Sequence, residues 1–243
     1  MKPRIGNFQL RAAQEQVLRA VASERTDFAL AGGTALERYY LHHRFSSDLD
    51  FFSAQYSAPQ IRHLVGMLKK KVHRGIRLES ELTVGGKAKV QFYTLPVKGS
   101  KRPLKIDFVE DVLFEKPIIR KIRGVRVYSA ENIYLQKIAA ISGTEPVLDE
   151  IGREVMEGRR EARDVFDLYY LSMQIQPLHR FLKKVPPAGQ KGIVHWYRTF
   201  SRQGLRLALL DLEIYDRQFN SKEMIRYLED EVKRFARSLV QTP

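Results

Sequence analysis

The order of apolar and polar positions divides the chain into two halves of different character. In residues 6–23, Phe8, Leu10, Val17, Leu18 and Val21 mark one face of a helix. Residues 28–31 form a short apolar run that stops at Gly32-Gly33, the pattern of a buried strand entering a tight turn. Thr34 follows at a position where its hydroxyl could cap a helix over ALERYYLHH. Residues 48–52, DLDFF, alternate as a strand does. Residues 59–73 place Ile61, Leu64, Val65, Leu68 and Val72 on one helical face. Three strand-like runs come next, 76–84, 87–95 and 103–109, with the hairpin signal Gly85-Gly86 between the first two. Residues 123–128 read as one more short strand.

Beyond residue 128 the period changes. Residues 130–142, 161–173, 192–211 and 221–240 read as helices, the last most clearly, with Ile225, Leu228, Val232, Phe235 and Leu239 at helical spacing. The expected architecture is α+β: a mixed sheet with flanking helices over 1–128, then an all-helical C-terminal region over 129–243. Hairpins with few βαβ units argue against a doubly wound dinucleotide fold.

Charge changes the picture more than composition does. The net charge is +14, and residues 1–128 carry 24 Lys and Arg against 12 Asp and Glu, whereas 129–243 carry 18 against 16. A positive field concentrated in one half attracts polyanions, which makes RNA a candidate partner. The stretch KPIIRKIRGVR (116–126), with loop 98–105, could form an acceptor-binding strip, although a charged loop is ordinarily just solvated. The absence of cysteine excludes a disulfide framework or thiolate metal site. There is no apolar run of the roughly 18 residues a membrane span needs, and no apolar core to a leader at MKPRIGNFQLRAAQEQV. The expectation is a soluble, cytoplasmic protein without membrane attachment.

The chemistry concentrates in A-G-G-T (31–34) followed by D-L-D (48–50). Gly32 and Gly33 lack a Cβ, so their backbone N–H groups can approach a phosphate closely. Asp48 and Asp50 stand two apart on a strand and leave the same face. Two like charges held this close call for a cation, and Mg²⁺ matches their oxygen donors. In LKIDFVED, Asp107 alternates with Leu104, Ile106 and Phe108 and can project from a strand whose other face is buried. If the two strands are neighbours, Asp48, Asp50 and Asp107 converge as metal ligands, with Asp107 the readiest base for an attacking hydroxyl. The six histidines show no zinc spacing. Tyr39 and Tyr40 could stack a base, but core packing explains them as well.

AGGTALERYYLHHRFSSDLDFF resembles the first motif of the AbiEii/AbiGii toxin family of nucleotidyltransferases, within the DNA polymerase β-like superfamily. Arg44 and Ser46 match the residues that precede the D-x-D in that family. LKIDFV resembles its second motif, Lys137 in ENIYLQKIAAI its lysine helix, and ARDVFDLYYL (162–171) its late R-D-x-x-D-L motif. One departure stands out: the arginine that usually follows the lysine helix is missing, and the next is Arg153.

The resemblance spans roughly residues 28–172. It implies a nucleotidyltransferase fold with a helical C-terminal region, NTP and Mg²⁺ as co-substrate and cofactor, transfer of a nucleotide to RNA with the tRNA 3′ end foremost, and a toxin role with a cognate antitoxin. It also implies Gly32, Gly33, Thr34, Arg44, Ser46 and Arg163 at the nucleotide, and Lys137 and Asp164 beside the catalytic carboxylates. Read bottom-up, Arg163 and Asp167 share a helical face, where they could form a surface ion pair or, for Arg163, hold a triphosphate. Asp164 could act as a base or hold Lys137. Two other functions compete: nucleotidyl transfer to a small molecule or a protein, and a non-catalytic RNA- or partner-binding module on a degenerate transferase fold.

Overall fold

Alternation in the first half becomes a seven-stranded sheet, and the helical period of the second half becomes a helical assembly. The computed structural model describes residues 5–72, 75–83, 88–143, 146–148, 152, 154–156 and 158–240. The Gly85-Gly86 turn, Arg74 and Arg153 lie outside the described residues. The chain divides into two compact units, residues 1–39 with 46–129 and residues 40–45 with 130–243.

In the first unit, α1 (Ile5–Ala22) precedes β1 (Ala29–Ala31). A short helix α2 (Gly32–Ala35) runs on as a π-helical turn, Leu36–Leu41. Then come β2 (Leu49–Ser53), α3 (Ala58–Val72), β3 (Arg77–Leu82), β4 (Val90–Leu95), β5 (Leu104–Glu110), β6 (Ile119–Ile122) and β7 (Val125–Tyr128). The strand order is β3-β4-β5-β2-β1-β7-β6. β2 pairs in parallel with β5 and β1 with β7, while the other neighbours are antiparallel.

Register partners share a sheet face, so the pairings sort the side chains. Leu30, Phe51, Phe108 and Val127 form one row and are buried. Phe108 anchors it, stacked on Phe51 at 5.6 Å between centroids and edge-on to Phe28 at 5.2 Å. Helix α1 packs against β5, β7 and α3. Of its expected apolar face, Leu10, Val17, Leu18 and Val21 are buried, but Phe8, in the first turns, is 71% exposed. The opposite row contains Ala31, Asp50 and Asp107.

The second unit contains α4 (Ala130–Ser142), β8 (Pro146–Leu148), β9 (Glu154–Met156), α5 (Ala162–Gln174), α6 (Leu178–Phe181), α7 (Pro187–Thr199), α8 (Arg202–Ala208) and α9 (Ser221–Val240). Helix α4 packs against α5 and α7, and α6 against α9. Tyr134 and Phe181 stack at 3.9 Å between centroids. Residues 43–45 belong here: the N–H of Phe45 donates to the carbonyl of Glu213 (2.9 Å), and the N–H of Tyr215 to that of His43 (3.0 Å).

Two expectations need correction. The C-terminal region is not wholly helical, because β8 and β9 pair as a two-stranded hairpin. The single helix expected over 192–211 is two, α7 and α8, parted at Phe200 and Ser201. There the Ser201 hydroxyl accepts from the Gly204 N–H and caps α8, while Pro187 sets the earlier start of α7. No helix among the described residues is long and apolar enough to cross a membrane.

Candidate active site

The D-x-D segment is held by its main chain. The Ser46 N–H donates to the Glu37 carboxylate (3.0 Å), and the Ser46 carbonyl accepts from the Gln14 side chain (2.8 Å). Glu37 is buried and also pairs with Arg11. Two residues on, the Thr34 hydroxyl donates to the carbonyl of Asp48. Thr34 therefore does not cap the helix. Its residue lies inside a helix that already opens at Gly32, where Ala31 is the N-cap without a side-chain bond. The hydroxyl instead ties the turn to the chain entering β2. Nothing in the sequence period announces Gln14 and Glu37, because the groups of Ser46 that they hold are backbone atoms.

Asp50 and Asp107 are direct register partners on the parallel strands β2 and β5. Their side chains rise from one face, with buried Leu49, Phe51, Ile106 and Phe108 on the other. Asp48 enters just ahead of β2, and its carboxylate accepts from the Ser47 hydroxyl (3.0 Å). Gly32 faces this pair. Its φ of +65° is one that side chains rarely adopt, and a Cβ there would lie 2.3 Å from Asp50 Oδ2. The missing side chain is thus the space that the carboxylate occupies.

Among the described residues, no group of three or more His, Cys, Asp or Glu side chains is arranged to hold a metal ion. Mg²⁺ does not require such a cage. It commonly takes one or two carboxylates and completes its shell with water and substrate phosphate. The oxygen-only donors Asp50 and Asp107, beside a glycine that leaves room for them, fit that ion.

Gly32→Ala tests the arrangement. The carboxylate end is the more mobile partner and would yield, so the acid moves more than the fold does. We expect transfer to fall about a hundredfold, as for an angstrom-scale misplacement of a reacting group. Stability should fall by about 1–2 kcal/mol, for the left-handed backbone. Initial rates and thermal melts measure both, and unchanged rates would remove Gly32 from the site.

A second cluster lies wholly within the second unit. Asp167, on α5, is fully buried. Arg44 grips it with two parallel bonds, Nε to Oδ1 (2.7 Å) and Nη2 to Oδ2 (2.8 Å). His43 Nε2 meets Oδ1 at 2.7 Å, and Lys137 Nζ meets Oδ2 at 2.8 Å. Lys137 also donates to Asp164 at 2.6 Å. Burial opposes every charge in this group, yet at Asp167, Asp164 and Lys137 the partners outweigh it. Arg44 and Lys137 hold Asp167 well below the usual carboxylate range. Lys137, with Arg159 assisting, lowers Asp164, and the two carboxylates raise Lys137. In His43 burial prevails and lowers the pKa, so the ring stays neutral and Nε2–H donates to Asp167.

The late motif therefore differs from its sequence reading. Asp167 pairs with Arg44 and Lys137 rather than forming a surface pair with Arg163, which is exposed on the same helix. Arg44, expected at a phosphate, is buried against Asp167. Lys137 and Asp164 hold one another. Tyr39 and Tyr40 are half-buried.

Two solved structures are similar along nearly their whole length. One is a candidate nucleotidyltransferase from H. pylori, 19% identical, covering 99% of this chain and 99% of that one with a TM-score of 0.62. The other is JHP933 from Helicobacter pylori, 20% identical, covering 96% of this chain and 94% of that one with a TM-score of 0.60. At such identity the likeness speaks for the fold. No curated protein matches the chain. Residues 16–241 match the family described as nucleotidyl transferase AbiEii toxin, type IV TA system. With nearly the whole chain inside that match, the protein belongs to the AbiEii family of nucleotidyltransferases, toxins of type IV toxin–antitoxin systems.

Proposed function

We propose that this nucleotidyltransferase moves a nucleotide from an NTP to the 3′ end of an RNA, tRNA foremost, with Mg²⁺ held by the register pair Asp50 and Asp107 and with Asp48, just ahead of β2, as the third acid. Residues 1–128 are assigned to catalysis and 129–243 to a helical domain. The observation that carries the reading is the side-by-side register of Asp50 and Asp107 facing Gly32. The basic first half favours a polyanionic acceptor over a cationic small molecule.

In the reaction the acceptor's 3′-hydroxyl oxygen attacks the α-phosphorus. The bond from that phosphorus to the β-phosphate bridging oxygen breaks, and pyrophosphate leaves. Asp107 stands ready to take the hydroxyl proton. Gly32 and Gly33 offer backbone N–H groups to the triphosphate, and Thr34 and Ser46 fix the glycine turn relative to the acids. Mg²⁺, held by these acids, would supply positive charge to the triphosphate and make the acceptor hydroxyl easier to deprotonate. Exposed Arg163 remains the candidate triphosphate contact outside the turn. Lys137, Asp164 and Arg44 act as positioning residues, because their charged ends are bonded to one another and to Asp167.

Family membership implies an antitoxin, whose gene, if adjacent, identifies that partner. The acceptor is tested by incubating the protein with each labelled NTP, Mg²⁺ and total RNA. The expected result is label at RNA 3′ ends. Label absent from RNA with all four nucleotides, yet present on protein or a small molecule, would replace the RNA reading.

A further inference from the structure

We propose that the β6–β7 hairpin is a phosphodiester-binding clamp for the acceptor strand, built from Lys121, Arg123 and Arg126 on the sheet that carries the catalytic acids. It rests on the reading that the acceptor is RNA. Three independent features of the hairpin converge on it.

First, Lys121 and Arg126 are direct cross-strand partners. Like charges directly opposite one another destabilise a hairpin. Among the described residues neither forms a salt bridge. An anion between them would turn repulsion into attraction.

Second, the turn is Arg123-Gly124, with φ of 49° and 84°. Positive φ at both central residues is the two-residue turn that favours Asn-Gly. Arginine at the first position is strained there, yet it sets a third cation at the tip.

Third, the register places the pair on the carboxylate face. Leu30 pairs with both Val127 and Phe51, so Arg126 and Lys121 share the other face with Ala31, Asp50 and Asp107. Arg126 stands two strands over from Asp50 and two residues along, roughly 12 Å by strand spacing and rise. One short nucleic-acid strand could reach both.

These features predict variants that gain stability and lose RNA. Lys121→Glu replaces repulsion with an ion pair to Arg126, and Arg123→Asn relieves the turn. The test uses the full chain, a short fluorescein-labelled single-stranded RNA read by anisotropy over a salt series, and thermal melts. Lys121→Glu should weaken RNA binding about tenfold and flatten the slope of log affinity against log salt by about 1.4, the value for two lost phosphate contacts. Arg123→Asn should weaken it about threefold. Both should melt higher than wild type, with Mg²⁺·NTP binding unchanged. If wild type binds RNA and the variants bind it equally, the clamp is wrong and the RNA acceptor stands. If wild type does not bind RNA, both fall. Weaker binding with lower melting in both variants also overturns the clamp, because the tension argued here would be absent.

Discussion

Asp50→Ala abolishes nucleotidyl transfer while the protein stays folded: that is the expected result, and Asp48→Ala should behave alike. Asp50 is half-buried on a strand whose other face carries the core residues Leu49 and Phe51, so removing its carboxylate leaves the packed side untouched. It also removes one of two acids in register, which relieves repulsion. What is lost is the electrostatic support for phosphoryl transfer, worth several kcal/mol. At 1.36 kcal/mol for each factor of ten, the rate should drop by at least about a thousandfold. Label incorporation gives the rate, and thermal melting gives the fold. A variant with wild-type turnover would take Asp50 out of the chemistry, whereas one that unfolds would make it a structural acid. Asp107→Asn, which keeps the shape, separates the two roles at the neighbouring strand.

The largest loss of stability is expected from Asp167→Ala. Arg44, Lys137 and His43 all point at this one carboxylate in a site closed to solvent. Without it, two cations remain buried with only Asp164 to balance them, and breaking a buried pair in this way costs about 3–5 kcal/mol. Denaturant unfolding measures the loss, and a change under about 1 kcal/mol, the range of surface ion pairs, would mean that solvent reaches the cluster.

The same cluster sets a pH window. Asp167, lowered from 3.8, contributes stability present above that value and lost as pH falls through its folded pKa. His43, lowered from 6.5, contributes above that value and loses the contribution as pH falls. Lys137, raised from 10.5, contributes below it and loses the contribution as pH rises through its higher folded value. The three together place the plateau between about pH 6.5 and 10.5, and Asp167→Ala should remove only the part of the acid loss that lies below pH 3.8, leaving the part set by buried His43.

How much of this could be read from residues alone varied with how local each signal was. Helices α4 and α9 have the bounds their periodicity indicates, because their own apolar stripes specify them. The short strand β6 was missed. Its residues, IRKI, sit within a basic run that looks like solvated loop, and its turn uses arginine where asparagine would have announced a hairpin. The pairing of Asp50 with Asp107 followed from two alternating segments and the assumption that they are neighbours. The grip of Arg44 on Asp167 joins residues 123 positions apart, and no local period encodes it. Helical spacing instead offered Arg163 as the partner of Asp167, since spacing tells which side chains could meet along one helix but not what another segment brings to it.

The bonds that hold Ser46 and Asp48 in place use their backbone atoms, and one residue separates them. Exchange of side chains at positions 46 and 47 leaves those bonds intact. Losing a single residue there does not, because in a pleated strand a one-step slip turns every side chain over, driving the acids into oil and bringing Phe51 to water. This stretch should accept no change in length, and at position 47 only a side chain that still donates to the Asp48 carboxylate.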